Sequence, residues 1–390
     1  MNPTTSRISS SAASAVIKRG ASAARDARTA ARELHAAIAQ PGLEFAVFFC
    51  SPEYDLDVLA EELAVLFRGV NLIGCTTAGE ISRLGYGTGA LVGASFPSRE
   101  FAIATKRLDG LARFEFSAGK AAPAELIQEL NQRGLLVNPN NTFAFLLVDG
   151  LSQQEESLVG SLFYGLHEVQ LFGGSAGDGL NFEETFVYHE GAFHQDCAIV
   201  SLVHTQRPFV VFKTQHFVSS DERMVVTQAM PLRRIVTEIN GEPAAREYAR
   251  SVGLEIDKLT PMIFAAHPVV VRVGGDYYVR SIQKVNDDES LTFFCAIDEG
   301  VVLTVARGVD LIENLQRAFD NVRVQLGAPD VVLGCDCILR YVELGQRQLT
   351  QKVAGIFEEN NVLGFATYGE QFNAMHVNQT FTGVAIGSRR

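Results

Sequence analysis

The stretch Val70-Asn-Leu-Ile-Gly-Cys-Thr-Thr-Ala-Gly-Glu80 decides the fold, because its pattern recurs along the chain. The pattern is an apolar pair, a glycine, four further residues, a second glycine and an acid. Val362-Leu-Gly-Phe-Ala-Thr-Tyr-Gly-Glu370 keeps this spacing, and Val169-Gln-Leu-Phe-Gly-Gly-Ser-Ala-Gly-Asp178 is a shorter variant that ends in Gly-Asp. Glycine permits positive φ and close backbone approach, and such a turn exposes N–H groups to an anion or a polar ligand. The simpler interpretation is a tight turn whose carboxylate hydrogen-bonds its own backbone.

The segments around each copy repeat too. An apolar stripe at helical spacing begins fifteen residues before the first glycine of each copy, at Leu59, Leu158 and Leu349. A short apolar run, typical of a buried strand, precedes each stripe, and another follows each glycine loop. The unit of strand, helix, short strand, glycine loop and strand spans about 55–60 residues, too long for a solenoid repeat, and indicates a duplicated α/β module.

Composition excludes several classes of function. The net charge of -12 argues against nucleic acid, which requires basic patches, and against anionic membrane surfaces. No run of eighteen apolar residues occurs, so no transmembrane helix is expected. The six cysteines lie mostly in apolar strand runs, as free thiols of a reducing compartment do, and we expect a cytoplasmic protein. The preference for arginine over lysine hints at a GC-rich bacterial genome.

The pattern predicts an α/β fold of two domains. Residues 1–40 form a lead segment, loose up to 20 and then helical. Residues 41–204 form a first domain of two modules, with a polar, helix-containing connection at 109–140. Residues 205–390 form a second domain, in which an antiparallel-rich sheet, with a hairpin at Gly274-Gly275-Asp276, precedes the third module at 329–390.

These segments resemble the FIST proteins, in which a FIST N domain precedes a FIST C domain. The resemblance runs from about residue 45 to 385 and rests on an ordered set of motifs: Gly74-Cys-Thr-Thr-Ala-Gly-Glu80, Val148-Asp-Gly150, Gly173-Gly-Ser-Ala-Gly-Asp178, Ile239-Asn-Gly-Glu-Pro-Ala244 with Tyr248, Tyr278-Val-Arg280, Cys337 with Arg340, Tyr368-Gly-Glu370 and Asn378-Gln-Thr380. It implies a FIST N-like sensory domain at 41–204 and a FIST C-like domain at 205–390. It also implies an intracellular signal-transduction protein that senses a small ligand, is not an enzyme, and acts through a partner.

The chain is further similar to the stand-alone bacterial nitric-oxide-sensing haemoproteins called NosP. The similarity rests on the two-domain length and on the segment Phe264-Ala-Ala-His-Pro-Val-Val-Val-Arg-Val-Gly-Gly-Asp-Tyr-Tyr-Val-Arg280. It implies haem b, nitric oxide bound at the ferrous iron, and control of a histidine kinase in trans. A haem sensor needs a proximal ligand, usually His, and an apolar distal pocket. His267 and His194 are the two candidate iron ligands, and the alternative for each is a histidine satisfied by its surroundings.

A non-haem sensor is the main alternative. If the glycine loops converge, Glu80, Asp178, Arg340 and Glu370 line a cleft that reads the ammonium and carboxylate of an amino acid, since Arg suits bidentate carboxylate recognition. A third alternative is a purely structural interaction module. The chain lacks a Walker loop, which disfavours the P-loop enzymes. Self-association into a homo-oligomer stays open.

Overall fold

The first two modules share one order of elements. A computed structural model of the chain describes residues 16–83 and 85–388. The first module contains β1 (Lys18–Ser22), α1 (Ala27–Ile38), β2 (Leu43–Cys50), α2 (Leu56–Leu66), β3 (Asn71–Thr76), β4 (Glu80–Ser82), β5 (Gly85–Gly87) and β6 (Leu91–Pro97). The second contains β7 (Phe101–Asp109), α3 (Phe116–Gln132), β8 (Thr142–Val148), α4 (Glu155–Leu166), β9 (Leu171–Ser175), β10 (Val187–His189), β11 (Ala192–His194) and β12 (Cys197–Thr205).

The third module is split by an inserted sheet. Its first strand, β13 (Phe209–Gln215), is followed by β14 (Phe217–Met230), β15 (Ile235–Ile239), β16 (Glu242–Pro243), α5 (Ala244–Ser251), α6 (Pro261–Ala266), β17 (Val269–Val273), β18 (Asp276–Arg280), β19 (Ile282–Val285), β20 (Leu291–Phe293) and β21 (Val302–Gly308). The module then resumes with α7 (Leu311–Leu326), β22 (Pro329–Cys337), α8 (Ile338–Gln346), α9 (Thr350–Glu359), β23 (Val362–Thr367), β24 (Glu370–Phe372), β25 (Met375–Val377) and β26 (Thr380–Gly387).

The modules exchange hairpins in a closed cycle. The strand orders are β1-β6-β2-β3-β10-β11, β7-β12-β8-β9-β24-β25 and β13-β26-β22-β23-β4-β5. The last two strands of each sheet therefore come from another module. The pairing is equivalent in all three sheets, with Val187 opposite Cys75, Glu370 opposite Gly174 and Glu80 opposite Phe365. Each module thus needs a neighbour to complete its sheet, and the three form one unit with pseudo-threefold order.

The three sheets share one core, and the helices cover their outer faces. Apolar side chains from all three sheets form the central cluster, among them Phe49, Phe145 and Phe365. Separate clusters join α1 and α2, α3 and α4, and α7 and α9 to the outer faces. The remaining strands form an antiparallel sheet of order β18-β17-β21-β14-β15-β20-β19, with β16 beside β15, and this fourth sheet has its own core.

The first glycine of each motif is required by the parallel strand beside it. A Cβ at Gly74, Gly173 or Gly364 would lie 2.6, 2.2 or 1.8 Å from a carbonyl oxygen of that strand. None of these three glycines has positive φ. Close backbone approach, rather than a left-handed turn, therefore explains the repeat.

The predicted α/β fold, with repeated modules and an antiparallel-rich second half, is confirmed. One local prediction was wrong, since residues 18–20 belong to β1 rather than to a loose start. The helix predicted within 109–140 is present as α3, and it is the counterpart of α1. The repeating unit is therefore longer than predicted, since each module begins with a strand and a helix that carry no glycine motif. The rest of the predicted loose start, residues 1–15, lies outside the described residues.

Candidate functional site

The three glycine loops meet at the carboxyl ends of the parallel strands. Backbone hydrogen bonds join each pair of loops: Ala78 N donates to Ala366 O at 2.9 Å, Gly177 N to Thr76 O at 3.0 Å, and Ser175 N to Gly369 O at 2.9 Å. The convergence that the sequence left open is therefore present. It takes the form of a packed junction, in which a Cβ at Gly177 would lie 2.8 Å from Ala78 N.

Glu80 and Glu370 close their own hairpins. Glu80 Oε1 accepts from Thr77 Oγ1 at 2.5 Å and Oε2 from Ala90 N at 3.0 Å. Glu370 Oε2 accepts from the backbone N and the Oγ1 of Thr380, at 3.0 and 2.6 Å. In both cases the carboxyl ties the hairpin to the strand ten residues on. Burial raises the pKa of Glu80 to about 7 and that of Glu370 well above its ordinary range, which makes each a weak counter-ion for a ligand ammonium.

Asp178 has a different place from the two glutamates. Residues 178–186 form an insertion before β10, and Val187 occupies the position that Glu80 and Glu370 hold. Asp178 accepts from the backbone N–H groups of 182, 183 and 184 at 2.8–2.9 Å and from the hydroxyl of Tyr368. The carboxylate that ties this hairpin down is Asp149, which accepts from Asp196 N at 2.6 Å and from Thr185 Oγ1. The second copy is thus interrupted rather than shorter.

Arg340 belongs to a buried network inside the third module. Its Nε donates to Asp336 Oδ1 at 2.6 Å, and its Nη1 lies 2.8 Å from His216 Nδ1. Tyr86, from the hairpin of the first module, donates to the other oxygen of Asp336, and His216 Nε2 contacts Glu343 at 2.9 Å. Each of the four side chains predicted to bind an amino acid is therefore held in its own loop or network, although Arg340 Nη2 and Glu370 Oε1 are buried without a partner among the described residues.

The two histidines considered as iron ligands lie apart. His194 is on the edge strand β11, where its Nε2 lies 2.8 Å from Arg107 Nη1 and 3.2 Å from His189 O. His267 is half-buried at the end of α6, and its ring has no hydrogen-bond partner among the described residues. Ligand pockets measure about 300–1,000 Å³, and three depressions of about 540–580 Å³ are lined by other residues. Neither histidine lines one of these three depressions.

A smaller cavity lies between the glycine-loop junction and the fourth sheet. Its volume is about 60 Å³. The aromatic wall is formed by Phe182, which stacks on Tyr368 at 4.4 Å between ring centroids, and by Phe294. The charged wall is formed by Glu155, at the start of α4, and Arg234, on the fourth sheet. The lining is completed by Gly150, Leu151, Gln153, Arg233, Gln283, Thr292 and Phe293. Two parts of the fold that are distant in sequence thus build this cavity, which we call the Glu155–Arg234 cavity.

Arg234 is held in an unusual way. Its Nη2 donates to Glu155 at 2.5 Å and to Glu156 at 2.9 Å. Its Nε–H is buried and has no partner within the described residues. Its φ of 56° lies in the left-handed region, which costs a non-glycine residue about 1 kcal/mol or more and clusters at functional sites. A side chain that lines the cavity therefore carries one buried donor without a partner among the described residues.

A group of buried polar side chains extends behind the ion pair. Ser175 Oγ contacts Glu155 at 3.3 Å, and Gln371 Nε2 donates to Ser175 Oγ at 2.9 Å and lies 3.4 Å from His376 Nδ1. Burial lowers the pKa of His376, so the ring is neutral. Among the described residues, the buried atoms without a partner here are Ser281 Oγ, Glu370 Oε1, Gln371 Oε1, His376 Nε2, Asn378 Nδ2 and Gln379 Oε1. Leaving a buried polar group without a hydrogen bond costs about 1–3 kcal/mol. The cluster therefore indicates that a polar ligand or water molecules bind beside it.

Sequence reasoning missed this site. Glu155, Arg234 and Gln371 were not singled out. The signal in the sequence that could have found this site was the set of FIST-like segments, several of which come together there. Tyr278-Val-Arg280 and Asn378-Gln-Thr380 meet at this point, where Arg280 Nη1 donates to His376 O at 3.1 Å and Ser281 N donates to Asn378 Oδ1 at 3.4 Å.

Comparison with known proteins identifies the family. The model of the FIST N domain matches residues 44–242, and that of the FIST C domain matches residues 244–373. The chain is 24% identical over 354 residues to an uncharacterized protein of Methanocaldococcus jannaschii, covering 80% of this chain and 67% of that protein. Cyanuric acid hydrolase from A. caulinodans aligns over 96% of this chain and 99% of its own, with a TM-score of 0.39 and 9% identity, which is too low for any argument.

Two structural findings bear on what the chain holds. Within the described part of the chain, no helix combines the length and apolar character needed to cross a bilayer. Within residues 16–83 and 85–388, no three His, Cys, Asp or Glu side chains are grouped as metal ligands. FIST domains are generally sensory, signal-transduction domains that bind small ligands. With both of its domain models matched in order, the chain belongs to the FIST family.

Proposed function

We propose that this FIST protein senses a small zwitterionic metabolite of the amino-acid type in the Glu155–Arg234 cavity. The observation that carries the proposal is Arg234 Nε, a buried donor without a described partner on a side chain that lines the cavity. A ligand carboxylate would supply the missing acceptor through a charge-assisted hydrogen bond. Glu155 on the same wall would receive the ammonium group, and the stacked rings of Phe182 and Tyr368 would cover the ligand's carbon atoms.

The volume of the cavity limits the size of the ligand. A water molecule needs about 15 Å³ on this measure, so about 60 Å³ accommodates about four water-sized groups. Glycine and alanine fit this limit most nearly. A longer side chain would require the irregular segment after β20, which carries Phe294, to move.

Calorimetric titration with glycine, alanine and larger amino acids tests the proposal. Arg234→Lys keeps the positive charge beside Glu155 but removes the Nε donor, and we expect the folded variant to lose affinity at least tenfold. Arg317→Lys is the matched control, because Arg317 is exposed and, among the described residues, forms an ion pair with Glu313 on the surface of α7. Equal affinity of Arg234→Lys and the parent protein would refute the assignment, as would the absence of binding by any amino acid.

The haem-based nitric oxide sensor is the second candidate, and His267 is the observation that favours it. Its imidazole has no described hydrogen-bond partner and lies beside Pro268, which has no backbone N–H to offer. Binding would require the region around α6 to open. The test is an absorption spectrum after anaerobic loading with haem b, then after reduction and addition of nitric oxide. A sharp Soret band that shifts with nitric oxide and is lost in His267→Ala, but not in His194→Ala, would establish this candidate. A broad band like that of free haem would remove it.

The remaining parts of the proposal concern location, output and catalysis. All six cysteines are buried and unpaired, which supports a reducing, cytoplasmic setting. We place the protein upstream of a histidine kinase in trans, on the family resemblance, and the measurement is kinase autophosphorylation with and without this protein and its ligand.

We also propose binding rather than catalysis. Ser175, whose hydroxyl contacts the Glu155 carboxylate of the cavity wall, is buried and also contacts Gln371. Turnover of a bound amino acid would overturn that assignment.

A further inference from the structure

A groove on the fourth sheet lies next to the Glu155–Arg234 cavity. Its volume is about 540 Å³ and it is lined by β17, β18, β21 and the segment after β20. Three arginines line it, Arg223, Arg272 and Arg280, against one acid, Asp298. Val273 and Val302, each 46% exposed, add apolar surface. We call this surface the arginine groove.

The charge of the groove opposes that of the chain. The protein carries a net charge of -12, yet none of the three groove arginines forms an ion pair with a described residue. Arg272 packs over the ring of Tyr277, with Cζ 5.9 Å from the ring centroid, and this holds it at the surface. Unpaired arginines beside exposed valines are the features that recognise carboxylates on a partly apolar partner.

The groove shares a wall with the cavity. Phe294 lines the cavity, whereas Ala296, Ile297 and Asp298 of the same irregular segment line the groove. Ala296 N donates to Glu156 at 2.9 Å, and Glu156 is bound in turn by Arg234. Movement of this segment on ligand binding would therefore alter the groove. Arg280 is a second link, because its side chain lines the groove and donates to His376 O.

We propose that the arginine groove docks an acidic segment of a partner protein and is the output surface of the sensor. The occupant is a short peptide in which carboxylates alternate with apolar side chains. The carboxylates face the arginines, and the apolar side chains cover the two valines. The inference rests on the proposed function for its role in signalling, but peptide docking is measured separately from ligand binding.

Fluorescence anisotropy with a labelled (Glu-Leu)4 peptide tests the groove, and (Lys-Leu)4 and (Gln-Leu)4 serve as matched probes. We expect saturable binding of the glutamate peptide alone. Arg272→Glu should weaken it at least tenfold, and added salt should weaken it further, because exposed charges are screened. Arg99→Glu is the control, since Arg99 is exposed on the turn after β6 and the substitution changes net charge equally.

The outcomes separate the two proposals. No saturable binding, or equal loss in Arg99→Glu and Arg272→Glu, would overturn the docking surface. Self-association of the protein that Arg272→Glu abolishes would assign the groove to a second copy instead. If the parent protein binds the amino acid but shows no saturable binding of the glutamate peptide, only the groove is refuted. If the peptide binds and no amino acid does, only the proposed ligand site is refuted.

Discussion

Glu80→Gln isolates the effect of burying a carboxylate in the first glycine loop. Glu80 is 2% exposed, and burial raises its pKa to about 7 from the ordinary 4.5 despite hydrogen bonds from Thr77 and Ala90 that favour the charged form. Glutamine keeps the shape of the side chain. Its oxygen can accept from Ala90 N, and its amide can donate to the Thr77 hydroxyl, which accepts as well as donates.

The sign of the pH dependence follows from the raised pKa. The folded state favours protonated Glu80, so this group's contribution to stability is fully present below pH about 4.5 and is lost as the pH rises through about 7. One pKa unit corresponds to about 1.4 kcal/mol, and the difference between about 7 and 4.5 gives a total of about 3 kcal/mol. Between pH 5 and 8, the parent protein should lose about 2–3 kcal/mol relative to Glu80→Gln, which cannot ionise.

Urea denaturation of the parent and the variant at pH 5 to 9 measures this difference. Glu358→Gln is the control, because Glu358 lies exposed on α9, and its curve should stay parallel to that of the parent. If the free energies of unfolding of the parent and Glu80→Gln also run parallel from pH 5 to 9, Glu80 titrates as an ordinary carboxyl and the reasoning is refuted.

Three further predictions concern the junction and its sheets. Gly364→Ala should lower the free energy of unfolding by about 3 kcal/mol or more in urea denaturation, because its Cβ would lie 1.8 Å from Gly334 O. The control is Gly355→Ala, in open space on α9, which should instead raise the free energy of unfolding by up to about 1 kcal/mol. Equal effects of the two substitutions would contradict the steric account. A fragment ending at residue 208 should give no dispersed NMR spectrum, because β9 loses the β24–β25 hairpin and β4–β5 loses the sheet that it completes; a native-like spectrum would refute this dependence. Tyr368→Phe should lower the free energy of unfolding by about 1–3 kcal/mol through loss of the hydrogen bond to Asp178, and unchanged stability would contradict that role.

The repeated modules were predictable because their signal is local and steric. Gly74, Gly173 and Gly364 each meet a carbonyl of the adjacent parallel strand, and no other residue fits there. The helical stripes before them bury one face against the same sheets, so the spacing of fifteen residues reflects a fixed path of the chain. The lead strands β1 and β7 escaped detection because they need no glycine, and only their apolar faces are constrained.

The exchange of hairpins could not be predicted. Short hairpins of three-residue strands pair equally well with any open sheet edge, and no periodicity records which module provides that edge. The different places of Asp178 and Glu80 could not be predicted either. Gly-Asp and Gly-Glu are equivalent as sequence patterns, and only the structure shows the insertion at 178–186. The Glu155–Arg234 cavity was missed for a related reason, because its charged wall joins residues separated by 79 positions.

The motif Tyr368-Gly-Glu370 shows how structural and binding roles divide within three residues. Glu370 is buried, accepts from Thr380 and is not among the residues that line the cavity. Gly369 leaves no room for a Cβ, which would lie 2.2 Å from the ring of His376. Tyr368 lines the cavity, stacks on Phe182 and donates to Asp178, which in turn holds the insertion that carries Phe182. Glu370 therefore holds the hairpin in place, and Gly369 leaves space for the ring of His376. Tyr368 connects the glycine-loop junction to the proposed ligand site. If a ligand moves any part of this motif first, it will be the tyrosine.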